Sequence, residues 1–176
     1  MKSGIGSYAV ELGGLRVGAV VAVNALGDIY DRKTGKKLAG LLNADRTGFR
    51  DSLEFMTEQV TQIENRFTGN TTISVILTNA DLDKTRLCKV AGMAQDGMAR
   101  SICPVHTSAD GDTLFAVAAG EPAADGSNGG NGGFVAADYD LVGTLAAEVL
   151  SEAIARAVLA AEGAYGFPAA RDLPRL

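Results

Sequence analysis

The stretch G-N-T-T-I-S-V-I-L-T-N-A-D-L, residues 69–82, decides the fold of this 176-residue chain. Its centre, Thr71 to Thr78, is rich in β-branched and apolar residues and predicts a buried strand. Asn79-Ala80-Asp81 then offers a turn and a helix N-cap. A helix is predicted from Leu82 to Ile102, and Pro104 ends it. Its apolar stripe consists of Leu87, Val90, Ala91, Ala94 and Met98. The stretch therefore predicts a strand followed by an amphipathic helix.

The region before this stretch contains two more β candidates. Tyr8 to Leu12 is a short one, and Leu15 to Ala25 is a longer run of β-branched and small apolar residues. Gly13-Gly14 between them predicts a hairpin.

The chain from residue 27 to residue 69 is more polar. Gly27 to Asp31 is predicted to be a turn, and Arg32 to Gly40 a loop. Residues 43–69 are weakly periodic, so a helix from about Thr47 to Asn65 and a long exposed linker fit the pattern equally well.

Downstream, the pattern predicts another strand and another helix. Thr113 to Ala119 is an apolar strand candidate, and Gly-rich residues 125–133 indicate a flexible loop. Asp138 can cap a long Ala-rich helix that runs to about Glu162, and the tail from Gly163 is predicted to be coil. Both helices have one apolar stripe, and the strands are apolar on both faces. A layered stack of sheet and helices accounts for this pattern.

Composition excludes several classes of function. Hydrophobic types make up 47% of the chain, which is enough for one core and predicts a single domain. A net charge of −5 without a Lys/Arg cluster disfavours a nucleic acid or an anionic membrane as partner. There is no apolar run long enough to span a membrane and no signal-peptide pattern. Two cysteines do not make a disulfide framework, so we expect a reduced, cytoplasmic protein.

The sequence contains no complete motif for nucleotide binding, a serine triad or a His-based metal site. The segment from Gly4 to Ala9 matches a loose G-x-G-x-x-A, but no strand precedes it as dinucleotide binding requires. Gly35-Lys36 lacks the rest of a P-loop. His106 is the only histidine, and there is no G-x-S-x-G, so a serine triad and a His-based metal site are both disfavoured. We predict no cofactor and no metal, and a plain structural role for His106.

Asn70-Thr71 offers a chemistry that needs no histidine. If this peptide bond is cut, Thr71 gains an α-amine with a reference pKa of about 7.7–8.0. Such an amine is partly neutral at pH 7 and can take the proton of its own hydroxyl. Asp110 and Asp112, on a turn bent at Gly111, could orient the amine. From the pattern alone, an ordinary strand start and an ordinary polar turn remain open alternatives.

Several blocks of the sequence resemble one known family. The blocks are Lys2–Gly6, Val23–Asp28, Asn70–Ile73, Thr78–Leu82, Met93–Arg100, Pro104–Thr107 and Asp110–Thr113. The family that they resemble is the L-aminopeptidase/D-esterase family of self-cleaving peptidases, which includes β-aminopeptidases and nylon-oligomer endo-hydrolases. They cover most of residues 2–120 in the family's order and spacing.

The resemblance implies an α+β fold, an αββα sandwich cut into two subunits. Residues 1–70 would be the C-terminal part of the first subunit, ending in the processing linker, and residues 71–176 the second subunit. Family members are about twice this length, so the resemblance implies that the N-terminal half of the sandwich is missing before Met1. A homo-oligomer is expected, and whether the missing half is required stays open.

The resemblance also implies residue roles. Thr71 would be the nucleophile in self-cleavage after Asn70 and in catalysis. Asp110 and Asp112 would orient and polarise its amine and hydroxyl; the β-aminopeptidase branch has Ser and Glu here, so the Asp pair is closer to the nylon-oligomer branch. Asn24 would donate its amide to the oxyanion, and Lys2 would lie near Thr71 and lower its pKa.

The substrate implied is a small peptide or an oligoamide. Two rival hypotheses are a non-catalytic remnant or assembly subunit, and an acyltransferase with the same Thr nucleophile, as in the ornithine acetyltransferases.

Overall fold

A computed structural model describes residues 1–58, 69–120 and 133–173. The elements are, in chain order, β1 (Ile5–Leu12), β2 (Leu15–Ala22), β3 (Asp28–Tyr30), β4 (Lys37–Ala39), α1 (Ser52–Glu58), β5 (Ile73–Thr78), α2 (Lys84–Ala99), β6 (Ile102–Cys103), β7 (Thr113–Ala118), α3 (Tyr139–Ala160) and a 3₁₀ turn at Ala170–Asp172.

The main sheet has the strand order β1-β2-β5-β7. β2 pairs antiparallel with both β1 and β5, whereas β5 and β7 are parallel. The predicted hairpin is confirmed: Leu12 pairs with Leu15, and Gly13 and Gly14 have φ of 56° and 85°. Positive φ at both turn residues is what a two-residue hairpin of this twist requires, and glycine adopts it without steric cost.

Both long helices lie on one face of this sheet and build the core with it. α2 packs against α3, and α3 lies over β1 and β2. The contact between β1 and α3 is very close, since a Cβ added to Gly6 would lie 2.1 Å from the carbonyl oxygen of Ala153. The fully buried side chains of this layer include Val17, Val21, Ile76, Val90, Met98, Val142, Val149, Leu150, Ile154 and Val158.

The other face of the main sheet is apolar and exposed over the described residues. The register places Val20, Val75 and Phe115 in one row across β2, β5 and β7, and Leu77 and Val117 in the next. Phe115 is 56% exposed and Val20 42%. The strands are thus apolar on both faces, as predicted, while helices cover one face only. We call this exposed apolar side the outer sheet face.

A second sheet, of strand order β4-β3-β6, corrects two predictions. The predicted turn at Gly27–Asp31 is a strand, and the predicted loop at Arg32–Gly40 contains β4. Both segments contain polar residues, yet Asp28 is 1% exposed, because its carboxylate accepts hydrogen bonds from Lys37 Nζ at 2.7 Å and from Ser52 Oγ at 2.8 Å. A buried carboxylate so well partnered is compatible with a strand, which polarity alone could not indicate.

The two long predicted helices are present as α2 and α3, with different first and last residues. α2 begins at Lys84 with Asp83 as its N-cap, not Asp81, and Ile102 belongs to β6 instead of the helix. α3 begins after Asp138, whose carboxylate accepts from the N–H groups of Asp140 and Leu141, as predicted.

Between residues 43 and 69 the structure describes one short helix, α1 at Ser52–Glu58, so the helix alternative holds in part there. Residues 59–68 of that segment lie outside the described residues, as do residues 125–132 of the predicted Gly-rich loop. Over the part of the chain that is described, none of the helices combines the length and the apolar character needed to cross a bilayer.

Candidate active site

The Asn70–Thr71 peptide lies where the parallel pairing of β5 and β7 extends beyond the two strands. Thr113 N–H donates to the Thr72 carbonyl at 3.0 Å, and two residues earlier Gly111 N–H donates to the Asn70 carbonyl at 2.9 Å. The extension holds the 70–72 segment against the turn that carries the two candidate aspartates. The carbonyl carbon of Asn70 is thus fixed and polarised by a backbone donor.

Thr71 is half-buried beside this donor. Its Oγ1 donates to the Asn70 carbonyl oxygen at 2.6 Å, and its N–H donates to the Asn24 carbonyl at 2.8 Å. A Cβ added to Gly111 would lie 2.6 Å from Thr71 Oγ1. The hydroxyl therefore occupies space that only glycine at position 111 leaves open.

Asn24 brackets the same peptide bond from the end of β2. Its carbonyl accepts from Thr71 N–H, as described, and its side-chain amide donates to the Gly69 carbonyl at 2.6 Å. Asn24 therefore lies at the junction. In this arrangement its amide contacts the carbonyl next to Asn70, so its role toward an oxyanion stays a prediction.

Asp112 is the aspartate that is hydrogen-bonded to the residue next to Thr71. Its side chain is 5% exposed. Oδ1 accepts from the N–H of Thr72 at 2.8 Å, and Oδ2 lies 3.1 Å from His106 Nδ1. Both carboxylate oxygens thus have a partner, which a carboxylate so removed from water requires.

Asp110 makes different contacts. Its backbone pairs with Asn70, but its Oδ2 accepts from the N–H of Thr107 at 2.9 Å and from Thr107 Oγ1 at 2.8 Å. The carboxylate therefore stabilises its own turn. Its role in polarising the amine or hydroxyl of Thr71 stays a prediction.

Lys2 shares a cavity of about 230 Å³ with Asn70. Its Nζ donates to the Ser3 carbonyl at 2.6 Å, and its N–H donates to the Pro168 carbonyl at 2.9 Å. Most of the other residues that line the cavity are apolar, including Val23, Leu26, Ile29, Leu41 and Val158. Lys2 thus lies in the neighbourhood of the junction, and its effect on the pKa of Thr71 stays a prediction.

Two features of the site were missed at the sequence level. Gly111 was predicted only to let the turn bend, and its N–H also donates to the Asn70 carbonyl. That contact could have been predicted only if the pairing of β5 with β7 had been known. His106 was predicted to have a plain structural role, but it contacts the candidate catalytic Asp112.

Comparison with known proteins found relatives over nearly the whole chain. The family model described as peptidase family S58 matches residues 1–171. An uncharacterized aminopeptidase of Mycobacterium leprae is 37% identical over 182 residues, covering 96% of this chain and 47% of that protein. A 6-aminohexanoate-oligomer endohydrolase of Agromyces sp. is 36% identical over 160 residues, covering 88% of this chain and 44% of that protein. The chain thus spans about half the length of the curated relatives it matches.

Two solved structures are similar in fold. The L-aminopeptidase D-Ala-esterase/amidase of Ochrobactrum anthropi, described as a variant of the Ntn-hydrolase fold, superposes with a TM-score of 0.54 at 20% identity, over 94% of this chain and 42% of that one. A Burkholderia sp. β-aminopeptidase gives a TM-score of 0.52 at 23% identity, over 96% and 45% of the two chains. The predicted α+β fold class is confirmed, and the chain corresponds to part of that fold.

Proposed function

The chain belongs to peptidase family S58, and we propose that it is an N-terminal-nucleophile amide hydrolase that first cuts its own Asn70–Thr71 bond. One observation carries the proposal. The Thr71 hydroxyl lies against the Asn70 carbonyl, and the same carbonyl accepts the Gly111 N–H. A nucleophile and an electrophile are thus adjacent, with a donor placed to stabilise the charge that forms on the oxygen.

Self-cleavage would proceed in two steps. Thr71 Oγ forms a bond to the Asn70 carbonyl carbon, the Gly111 N–H stabilises the developing oxyanion, and the bond from that carbon to Thr71 N breaks. The hydroxyl proton ends on the departing Thr71 nitrogen. Water then hydrolyses the Asn70–Oγ ester: its oxygen bonds to the Asn70 carbonyl carbon, one of its protons goes to Oγ, and the acid formed on Asn70 releases the other proton to solvent.

The freed Thr71 would then act on substrates. Its neutral α-amine takes the hydroxyl proton, Oγ attacks an amide carbonyl, and an acyl ester forms and is hydrolysed. We propose that Asp112, hydrogen-bonded to Thr72 N–H, orients the Thr71 hydroxyl during self-cleavage and the freed amine afterwards. We propose a small peptide or an oligoamide as substrate, because relatives of this chain include aminopeptidases and an oligomer endohydrolase.

A pair of hydroxyl deletions tests the self-cleavage. Thr71→Val removes the proposed nucleophile and keeps the branched shape of the side chain. Thr72→Val removes a neighbouring buried hydroxyl for which the described structure has no hydrogen-bond partner, so it is a matched control. Mass spectrometry under denaturing conditions should find a fragment beginning at Thr71 in the wild type and in Thr72→Val, and an intact chain in Thr71→Val. Cleavage in Thr71→Val, or an intact wild-type chain under all conditions, would refute the proposal.

A second candidate function follows from the outer sheet face. Phe115 and its neighbours there are apolar and exposed, and a contiguous patch of this kind is typical of a surface that another chain or segment covers. The chain would then be a non-catalytic assembly subunit whose outer sheet face is covered, either in a homo-oligomer or by the half that its relatives have in addition. Size-exclusion chromatography beside an amide-hydrolysis assay separates the two candidates: an inert oligomer favours the subunit.

A further inference from the structure

We propose that His106 is a positioning residue that fixes the Asp112 carboxylate beside Thr71. The inference rests in part on the proposed function, because it assigns a role within that site. It starts from a residue for which the sequence offered no specific role, the only histidine of the chain.

The first observation is the contact itself. His106 Nδ1 lies 3.1 Å from Asp112 Oδ2, while Asp112 Oδ1 accepts the N–H of Thr72 at 2.8 Å. The proposed pairing puts the proton on Nδ1, because an ionised carboxylate can only accept hydrogen bonds. The carboxylate is then held at both oxygens, and its rotation about the Cβ–Cγ bond is blocked.

The second observation is the backbone of His106. Its φ is 56°, in the left-handed region that residues other than glycine seldom adopt. Such a conformation has a conformational cost and persists where the surrounding structure enforces it, which is common at functional sites. In this protein, the residue with the left-handed backbone is also the one whose imidazole contacts Asp112.

The third observation is the contrast in exposure. The Asp112 side chain is 5% exposed and that of His106 is 37% exposed. His106 therefore contributes little to the core, and its main polar contact is with a carboxylate that water hardly reaches. Without the imidazole, Oδ2 would lose its partner in a poorly hydrated place, and the carboxylate would turn to find another.

The consequence concerns Thr71. Thr72 N–H and the imidazole together fix the carboxylate next to the residue whose hydroxyl and future amine must be aligned. Displacement of a reacting or orienting group by about 1 Å costs about 100-fold in rate. Loss of the imidazole is therefore expected to slow self-cleavage by about 10- to 100-fold while the chain stays folded.

Two variants keep the backbone and differ in the donor. His106→Gly removes the side chain and tolerates the positive φ, whereas His106→Asn also tolerates it and places an amide N–H where Nδ1 was. We expect His106→Gly to cleave about 10- to 100-fold more slowly than the wild type, and His106→Asn to recover most of the rate. The proposal is overturned if His106→Gly cleaves at the wild-type rate, or if His106→Asn is as slow as His106→Gly at an equal thermal midpoint.

A spectroscopic measurement separates this inference from the proposed function. Because the chain has one histidine, ¹⁵N-histidine labelling gives the signals of His106 alone. The expected result above neutral pH is a ring protonated at Nδ1 in the wild type and at Nε2 in Asp112→Ala. Protonation at Nε2 in the wild type would overturn the inference even if the chain cleaves itself. Protonation at Nδ1 in an intact, non-cleaving chain would support the pairing and refute the proposed function alone.

Discussion

Gly111→Ala is the perturbation that tests the geometry of the junction most directly. The new Cβ would lie 2.6 Å from Thr71 Oγ1, about 0.8 Å closer than the 3.4 Å at which such contacts become ordinary. The Thr71 carbon atoms nearest to it are 3.5 and 3.6 Å away and need not move. The substitution therefore displaces the hydroxyl selectively.

The expected effect is a loss of self-cleavage of about 100-fold, the typical cost of moving a reacting atom by about 1 Å. The fold should tolerate the change. Gly111 is not in the left-handed region, so alanine can adopt its backbone conformation, and replacing glycine at such a position restricts the unfolded chain. The free energy of unfolding should stay within about 1 kcal/mol of the wild type.

The assay is the fraction of chain that begins at Thr71, followed over time by denaturing mass spectrometry. Gly92→Ala is the matched control, since a Cβ at Gly92 of α2 meets nothing within 4 Å. The control should cleave like the wild type. If Gly111→Ala also cleaves at the wild-type rate, the hydroxyl does not occupy the position described here, and the reasoning about the junction is wrong.

The remaining predictions concern stability. Asp28→Asn removes the charge that partners Lys37 in a buried contact, so the free energy of unfolding in urea should fall by about 3 kcal/mol; a change below about 0.5 kcal/mol would show that the pair is dispensable. Gly6→Ala places a Cβ 2.1 Å from the Ala153 carbonyl oxygen, against backbone that can yield only if α3 moves off β1. We expect a loss of about 3 kcal/mol in the same measurement, and an unchanged midpoint would contradict the close packing.

Local signals in the sequence determined the elements that were predicted well. Gly13-Gly14 dictates a two-residue hairpin, and Asp138 before an Ala-rich amphipathic run dictates where α3 begins. The failures at β3 and β4 have a shared physical cause. Asp28 is polar and resembles a turn residue, and it lies in a strand because Lys37 and Ser52, distant in sequence, satisfy its carboxylate.

In the candidate site, likewise, some features could be predicted from the sequence and others depend on the fold. The sequence could point to Thr71, Asn24 and Asp112, because side chains carry the chemistry and the resemblance located them, and the structure brings these three to one junction. It could not point to the Gly111 N–H, because every residue except proline has a backbone donor and only strand register decides which carbonyl it faces. The contact between His106 and Asp112 could not be predicted either, because it depends on the conformation of the turn between them.

The order of strands determines what a break between residues 70 and 71 would do to the molecule. β2 comes before the break and β5 after it, yet they are neighbours in the middle of the sheet, hydrogen-bonded from Val17–Thr78 to Ala22–Ile73. α3, from the later piece, lies across β1 of the earlier one. A nicked molecule would therefore keep its shape and migrate as one species on a native gel. Cleavage would create new chain ends while both pieces stay associated. A native gel would therefore not distinguish a fully cleaved sample from an uncleaved one.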